Sequence, residues 1–107
     1  MEKKLQNQKA VTFTPVYHEA LETLELNVTE YMIADTIAQL SKPGNSADGW
    51  CYMSKESMAK VFHITPRQVF RIINTLIKKQ LVEKHPETGF LKAAPRWIDE
   101  AIQPYRL

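Results

Sequence analysis

Ser54-Lys55-Glu56-Ser57-Met58-Ala59-Lys60-Val61-Phe62-His63-Ile64-Thr65-Pro66-Arg67-Gln68 decides how this chain is read. Ser54 precedes a short amphipathic stretch and is placed to accept from the amides of its first turn. His63-Ile64 breaks the pattern, and Thr65-Pro66-Arg67-Gln68 restarts it. Thr65 can accept from the amide of Gln68, and the Gln68 side chain can reach back to the amide of Thr65. Pro66 stands at the first helical position, where no free N–H is needed. The spacing predicts a short helix over 54–62 whose first turn Ser54 caps, a tight turn, and a second, capped helix over 66–80.

The second helix carries a polar stripe. At about 100° per residue from Arg67, the side chains of Arg71, Asn74 and Lys78 fall within roughly 40° of it. Gln68, Thr75 and Lys79 widen that arc on one side. Val69, Ile72, Ile73, Leu76 and Ile77 cover the opposite side, continued by Leu81, with Phe70 at the edge. The apolar half belongs against a core, and the polar half is left to face something else. Arg, Asn, Gln and Lys are the side chains that pair with guanine and adenine edges or with phosphates. An ordinary solvated face would interleave Glu with Lys, yet no acid occurs from Ser57 to Val82. Two helices joined by a short turn, the second with such a face, have the layout of a helix-turn-helix directed at DNA.

A chain of 107 residues, 44% hydrophobic and 24% charged, has the size and composition of one globular domain rather than a disordered segment. Its net charge of +2 is unevenly spread. Residues 1–50 set four Lys against seven acids, whereas residues 51–107 set ten Lys or Arg against five. The basic excess therefore falls on the half that holds the polar stripe, as an electrostatic footprint for nucleic acid would. The single Cys51 excludes an internal disulfide and fits a reducing compartment. With no signal-like apolar core near the start and no run of membrane-span length, the expected location is cytoplasmic, with no membrane partner.

Residues 1–10 read as a flexible N-terminal arm, 11–103 as a single domain and 104–107 as a tail. Val11-Thr12-Phe13-Thr14 alternates like a short strand, and Pro15 to Leu24 reads as an acidic amphipathic helix. Asn27-Val28-Thr29-Glu30 has capping-box spacing and opens a helix to about Leu40, with Tyr31, Ile33, Ala34, Ile37 and Leu40 as its buried stripe. A breaker-rich loop over 41–49 leads to Trp50-Cys51-Tyr52-Met53, a compact strand. Leu81-Val82-Glu83-Lys84-His85 and Phe90-Leu91-Lys92-Ala93-Ala94 flank Pro86-Glu87-Thr88-Gly89, a hairpin with a four-residue loop. The strand at 50–53 is expected to join it in a small antiparallel sheet. A last short helix runs over 95–102.

Leu26-Asn27-Val28-Thr29-Glu30-Tyr31, Tyr52-Met53-Ser54-Lys55-Glu56-Ser57-Met58-Ala59-Lys60, Ile64-Thr65-Pro66-Arg67-Gln68-Val69-Phe70-Arg71 and Leu76-Ile77-Lys78-Lys79-Gln80-Leu81-Val82 resemble the winged-helix domains of phage, plasmid and mobile-element replication and regulatory proteins. The likeness covers roughly residues 26–98. That family shows Ser-x-x-x-Leu-Ala-x-x-Leu, then Ser/Thr-x-Arg-x-Val, then Leu-x-x-x-Gly-Leu-Ile. Here Met58 stands for the Leu and Gln80 for the Gly, so the helix must end without the easy left-handed residue. The resemblance implies an α+β winged helix-turn-helix that binds double-stranded DNA in transcription regulation or replication initiation. It sets Arg67, Gln68, Arg71, Asn74 and Lys78 along the major groove, with Thr75 beside them. It brings Lys84, His85, Thr88 and Lys92 on the wing to phosphates or the minor groove, and makes Ser54, Lys55 and Thr65 backbone contacts at helix N-termini.

Other chemistry finds little footing. His18, His63 and His85 have no second ligand at metal spacing, so no metal is expected. His63 in the turn reads as a packing or locally hydrogen-bonded residue. Cys51 between Trp50 and Tyr52 reads as buried rather than nucleophilic. Asp35, Asp48, Asp99 and Glu100 lie on separate elements, and three glycines make no phosphate loop, so neither an enzyme nor a cofactor is expected. Trp50 and Trp97 read as core or interface aromatics. The acidic first helix and the helix at 95–102 are the elements available to pair two protomers into a homodimer. A winged-helix module that docks on another protein is the alternative reading.

Overall fold

The structure, a computed structural model, describes residues 15–106. The arm expected over 1–10 and the strand expected over 11–14 lie outside the described residues. The first helix, α1 (His18–Leu24), starts later than expected because Tyr17 is still extended. It ends at Glu25, whose φ of 56° turns the chain so that the Leu26 amide donates to Leu21 O at 3.0 Å.

The Asn27–Glu30 capping box opens α2 (Val28–Ser41): Glu30 N donates to Asn27 Oδ1 at 2.8 Å and Asn27 N to Glu30 Oε1 at 2.9 Å. The predicted stripe of Tyr31, Ile33, Ala34, Ile37 and Leu40 is buried, but so are Asp35, Thr36, Ala38 and Ser41. The helix is covered on more than one side, which a single apolar stripe does not foretell. It packs against both the hairpin and the later helix that carries the polar stripe.

Ser54 caps α3 (Lys55–Phe62) by accepting from Ser57 N at 3.1 Å. His63 ends it in the left-handed region (φ 59°), exposed rather than packed, and the Ile64 amide returns to Ala59 O at 3.0 Å. Thr65 and Gln68 then form their capping box and Pro66 begins α4 (Pro66–Lys78). Gln80, at φ 62°, makes the turn out of α4.

Strands β1 (Val82–Lys84) and β2 (Leu91–Ala93) pair antiparallel, Val82 opposite Ala93 and Lys84 opposite Leu91. The strand expected at 50–53 does not form. Only Cys51 pairs, its amide donating to Leu91 O at 2.6 Å. The reason is local. The next ladder positions on either side of Cys51 are Gly49 and Met53. Gly49 stands at φ 85° with its amide donated to Ser46 Oγ at 3.2 Å, and Met53 is followed at once by Ser54, which caps α3.

The C-terminal run consists of α5 (Pro95–Trp97), a π-helical turn (Ile98–Ile102) and α6 (Gln103–Arg106). In the wide turn Gln103 N donates to Ile98 O. Pro104 follows directly, and its ring would meet the carbonyl four residues back in a regular α-helix. The segment read from sequence as a tail is therefore largely helical, and Tyr105 stacks on Tyr17 with ring centroids 4.4 Å apart. Trp97 is fully buried against Tyr31, 4.9 Å between centroids. The helices expected to pair protomers thus bury apolar surface against this same chain, leaving Ile98 exposed. The architecture is α+β: helices with one small antiparallel sheet. Among the described residues, no helix is long and apolar enough to cross a membrane.

Candidate nucleic-acid interface

Burial of α4 follows its sequence pattern. Val69, Ile73 and Leu76 are buried and Ile72 and Ile77 half-buried, which fixes the helix to the core along one side. Arg67, Gln68, Arg71, Asn74 and Lys78 are exposed on the other. Among the described residues the ion pairs are Lys92–Glu83 at 3.8 Å and Arg96–Glu100 at 3.0 Å, so no acid neutralises a cation of α4. Between α4 and the start of α2 lies a depression of about 260 Å³, lined by Asn27, Thr29, Glu30, Gln68, Arg71 and Thr75. Glu30 brings one carboxylate to that edge, already tied to the Asn27 amide.

Not every polar group of the arc is equally available. Gln68 Oε1 accepts from Thr65 N at 2.9 Å and from the Thr65 hydroxyl at 3.3 Å. A bidentate pair with adenine requires that same oxygen, so Gln68 can make it only by giving up its bonds to Thr65, while the amide of Gln68 still donates to Thr65 Oγ1. Thr75 is half-buried and its hydroxyl donates to Arg71 O at 3.1 Å. Lys79 leaves the arc altogether, its ammonium donating to Leu24 O and Glu25 O. Arg67, Arg71, Asn74 and Lys78 are the side chains that keep their donors turned outward.

Two further elements carry the remaining candidate residues. Lys55, the first residue of α3, reaches over α4, its Nζ 5.9 Å from the centroid of the Phe70 ring. Phe70 itself is 50% exposed, although the sequence placed it at the apolar edge. In the hairpin, Lys84 is exposed, while His85 and Thr88 build the tip. His85 Nδ1 accepts from Glu87 N at 3.0 Å and Thr88 N at 3.2 Å, which leaves Nε2 as the ring's donor. Thr88 Oγ1 accepts from Phe90 N at 3.2 Å. Lys92 lies over the Trp50 ring, 4.7 Å from its centroid, and pairs with Glu83. Trp50 is half-buried and meets the edge of His85 at 5.0 Å. The hairpin is thus held by its own polar groups, and Lys84 is the cation it presents.

Cys51 is buried, and desolvation pushes its thiol above the ordinary range, the Met53 amide pulling weakly the other way. A neutral, enclosed thiol is a poor nucleophile. Asp48 is exposed and held below the usual carboxylate range, first by the Tyr52 hydroxyl that donates to it. Among the described residues, no group of three or more His, Cys, Asp or Glu is arranged to hold a metal ion.

No protein family, curated protein or solved structure matches this chain. What remains is the chemistry of the surface itself. Three long cations and one carboxamide on a helix anchored along its other side suit a polyanionic partner that also offers hydrogen-bonding edges.

Proposed function

We propose that this chain is a winged helix-turn-helix protein that binds double-stranded DNA, with α4 in the major groove and the β1–β2 hairpin against the backbone or minor groove. One observation carries the reading: Arg67, Arg71, Asn74 and Lys78 stand exposed along one side of α4, whose other side is fixed in the core, and no acid lies on that helix. At about 1.5 Å per residue a helix of this length spans roughly 20 Å and enters a groove about 12 Å wide. The resemblance extends the proposal to transcription regulation or replication initiation of a mobile element, in a cytoplasmic setting and without catalysis.

The deciding experiment is a salt titration of the full chain against duplexes recovered from a random pool. Counterion release predicts that log affinity falls linearly with log salt. Affinity indifferent to salt, or recovery no better than from a bead without protein, would sink the proposal. A homodimer on paired half-sites belongs to the same reading and is checked by light scattering with and without duplex. A protein-docking module is the competing function, favoured by the exposed Val61 and Ile98. It is distinguished by a stable protein partner that is captured equally well after Arg71→Ala.

A further inference from the structure

We infer that Phe70 reads the 5-methyl group of a thymine. The inference rests on the duplex-binding reading and deepens it. Phe70 is three residues after Arg67 and four before Asn74, so the three side chains form one row along α4. The ring is half exposed, with a guanidinium before it and a carboxamide after it on the outward side. Lys55 sets its ammonium 5.9 Å from the ring centroid and lends the ring a neighbour on the α3 side. An apolar surface of this size gains little from the fold while it stays in water. It gains when a partner covers it.

The chemistry of the row says which partner. In the major groove, base edges offer hydrogen-bond donors and acceptors and one apolar group, the methyl of thymine. Arg67 suits guanine O6 and N7, and Asn74 suits adenine N6 and N7. A phenyl ring between them can satisfy neither donor nor acceptor and would leave such a group dry and unpaired, at a cost. Against a methyl it loses no hydrogen bond. The row therefore asks for a thymine between two purine contacts.

The test uses the full chain and the duplexes recovered from the random pool, with deoxyuridine replacing thymidine one position at a time. This removes the methyl and leaves base pairing intact. At one position the wild type should bind the uracil duplex about fourfold more weakly, the factor that burying one methyl corresponds to. Phe70→Ala should bind the two duplexes alike there, while Phe70→Leu should keep part of the difference. Circular dichroism shows whether each variant is folded; should Phe70→Ala fail, the wild-type comparison and Phe70→Leu still decide. Equal binding of every uracil duplex by the wild type overturns the inference, as does a methyl preference that survives Phe70→Ala. Either result leaves duplex binding standing. Recovery of no duplex at all overturns both.

Discussion

Lys79 closes the end of α1: its ammonium donates to Glu25 O at 2.6 Å, across 54 residues of sequence, and to Leu24 O at 3.0 Å. These are carbonyls that the helix leaves without internal partners, at the end where a cation is favoured. The Lys79 carbonyl in turn accepts from Arg96 Nη1 at 2.7 Å. One residue thus ties the end of α4 to α1 and to the C-terminal run. Lys79→Met, which keeps the stem and removes the charge, should lower unfolding free energy by about 1–2 kcal/mol in urea titration. Its effect on duplex affinity should be much smaller than that of Lys78→Met. The opposite ranking would return Lys79 to the binding face.

Gln80 occupies a left-handed conformation, φ 62°, at the turn from α4 into β1. For a residue with a Cβ that region costs roughly 1–2 kcal/mol, and glycine offsets part of the relief by the entropy it loses on folding. Gln80→Gly should therefore stabilise the chain by about 0.5–1 kcal/mol. Gln80→Val, with its branched Cβ, should destabilise it. Thermal denaturation of the pair checks both signs.

Burial raises the Cys51 thiol from its ordinary 9.0. As pH rises, the unfolded chain loses this proton before the folded chain does. The contribution to stability is thus complete below pH 9.0 and declines as pH climbs towards the raised folded value. Tyr105, raised from 10.0 by desolvation and then by Glu19, acts in the same direction further up the scale. Cys51→Ala removes the earlier component alone. Denaturant midpoints measured on either side of pH 9.0 should fall more steeply in the wild type than in Cys51→Ala, and native Cys51 should react slowly with a thiol reagent that labels the unfolded chain at once.

What could be read from sequence was what the chain settles over three or four residues. The Asn27–Glu30 and Thr65–Gln68 caps needed no tertiary knowledge, and neither did the angular separation of Ile73 and Leu76 from Arg67 and Asn74. The hairpin and its four-residue loop followed from Pro86 to Gly89, the last of them at φ 79°. What escaped was decided between distant segments. Residues 50–53 have the composition of a strand, but Gly49 gives the next ladder amide to Ser46 Oγ and Ser54 begins the cap of α3 directly after Met53. Asp35 and Thr36 are buried on a helix that packs against both the hairpin and α4, and no periodicity within α2 reveals that. Lys79 belongs by angle to the polar arc, yet the end of α1 lies beside it. Phe70 sits by angle between the polar and apolar sides of α4, and its exposure depends on how far α3 reaches across.

The two kinds of contact proposed for DNA predict two kinds of loss. Arg71 projects from the middle of α4, where side chains of a helix in the major groove meet base edges. Arg71→Ala should cost about 1–3 kcal/mol on the preferred duplex and much less on a scrambled one. Lys84 stands on β1, away from that row, and its charge is not paired among the described residues. Lys84→Glu replaces attraction to phosphate by repulsion, so it should weaken preferred and scrambled duplexes by similar factors and flatten the salt dependence. Anisotropy titrations at two salt concentrations separate the cases. If the two variants shift specificity together, α4 and the hairpin do not divide base reading and phosphate holding between them. If neither changes binding, this face of the molecule is not where duplex DNA is held.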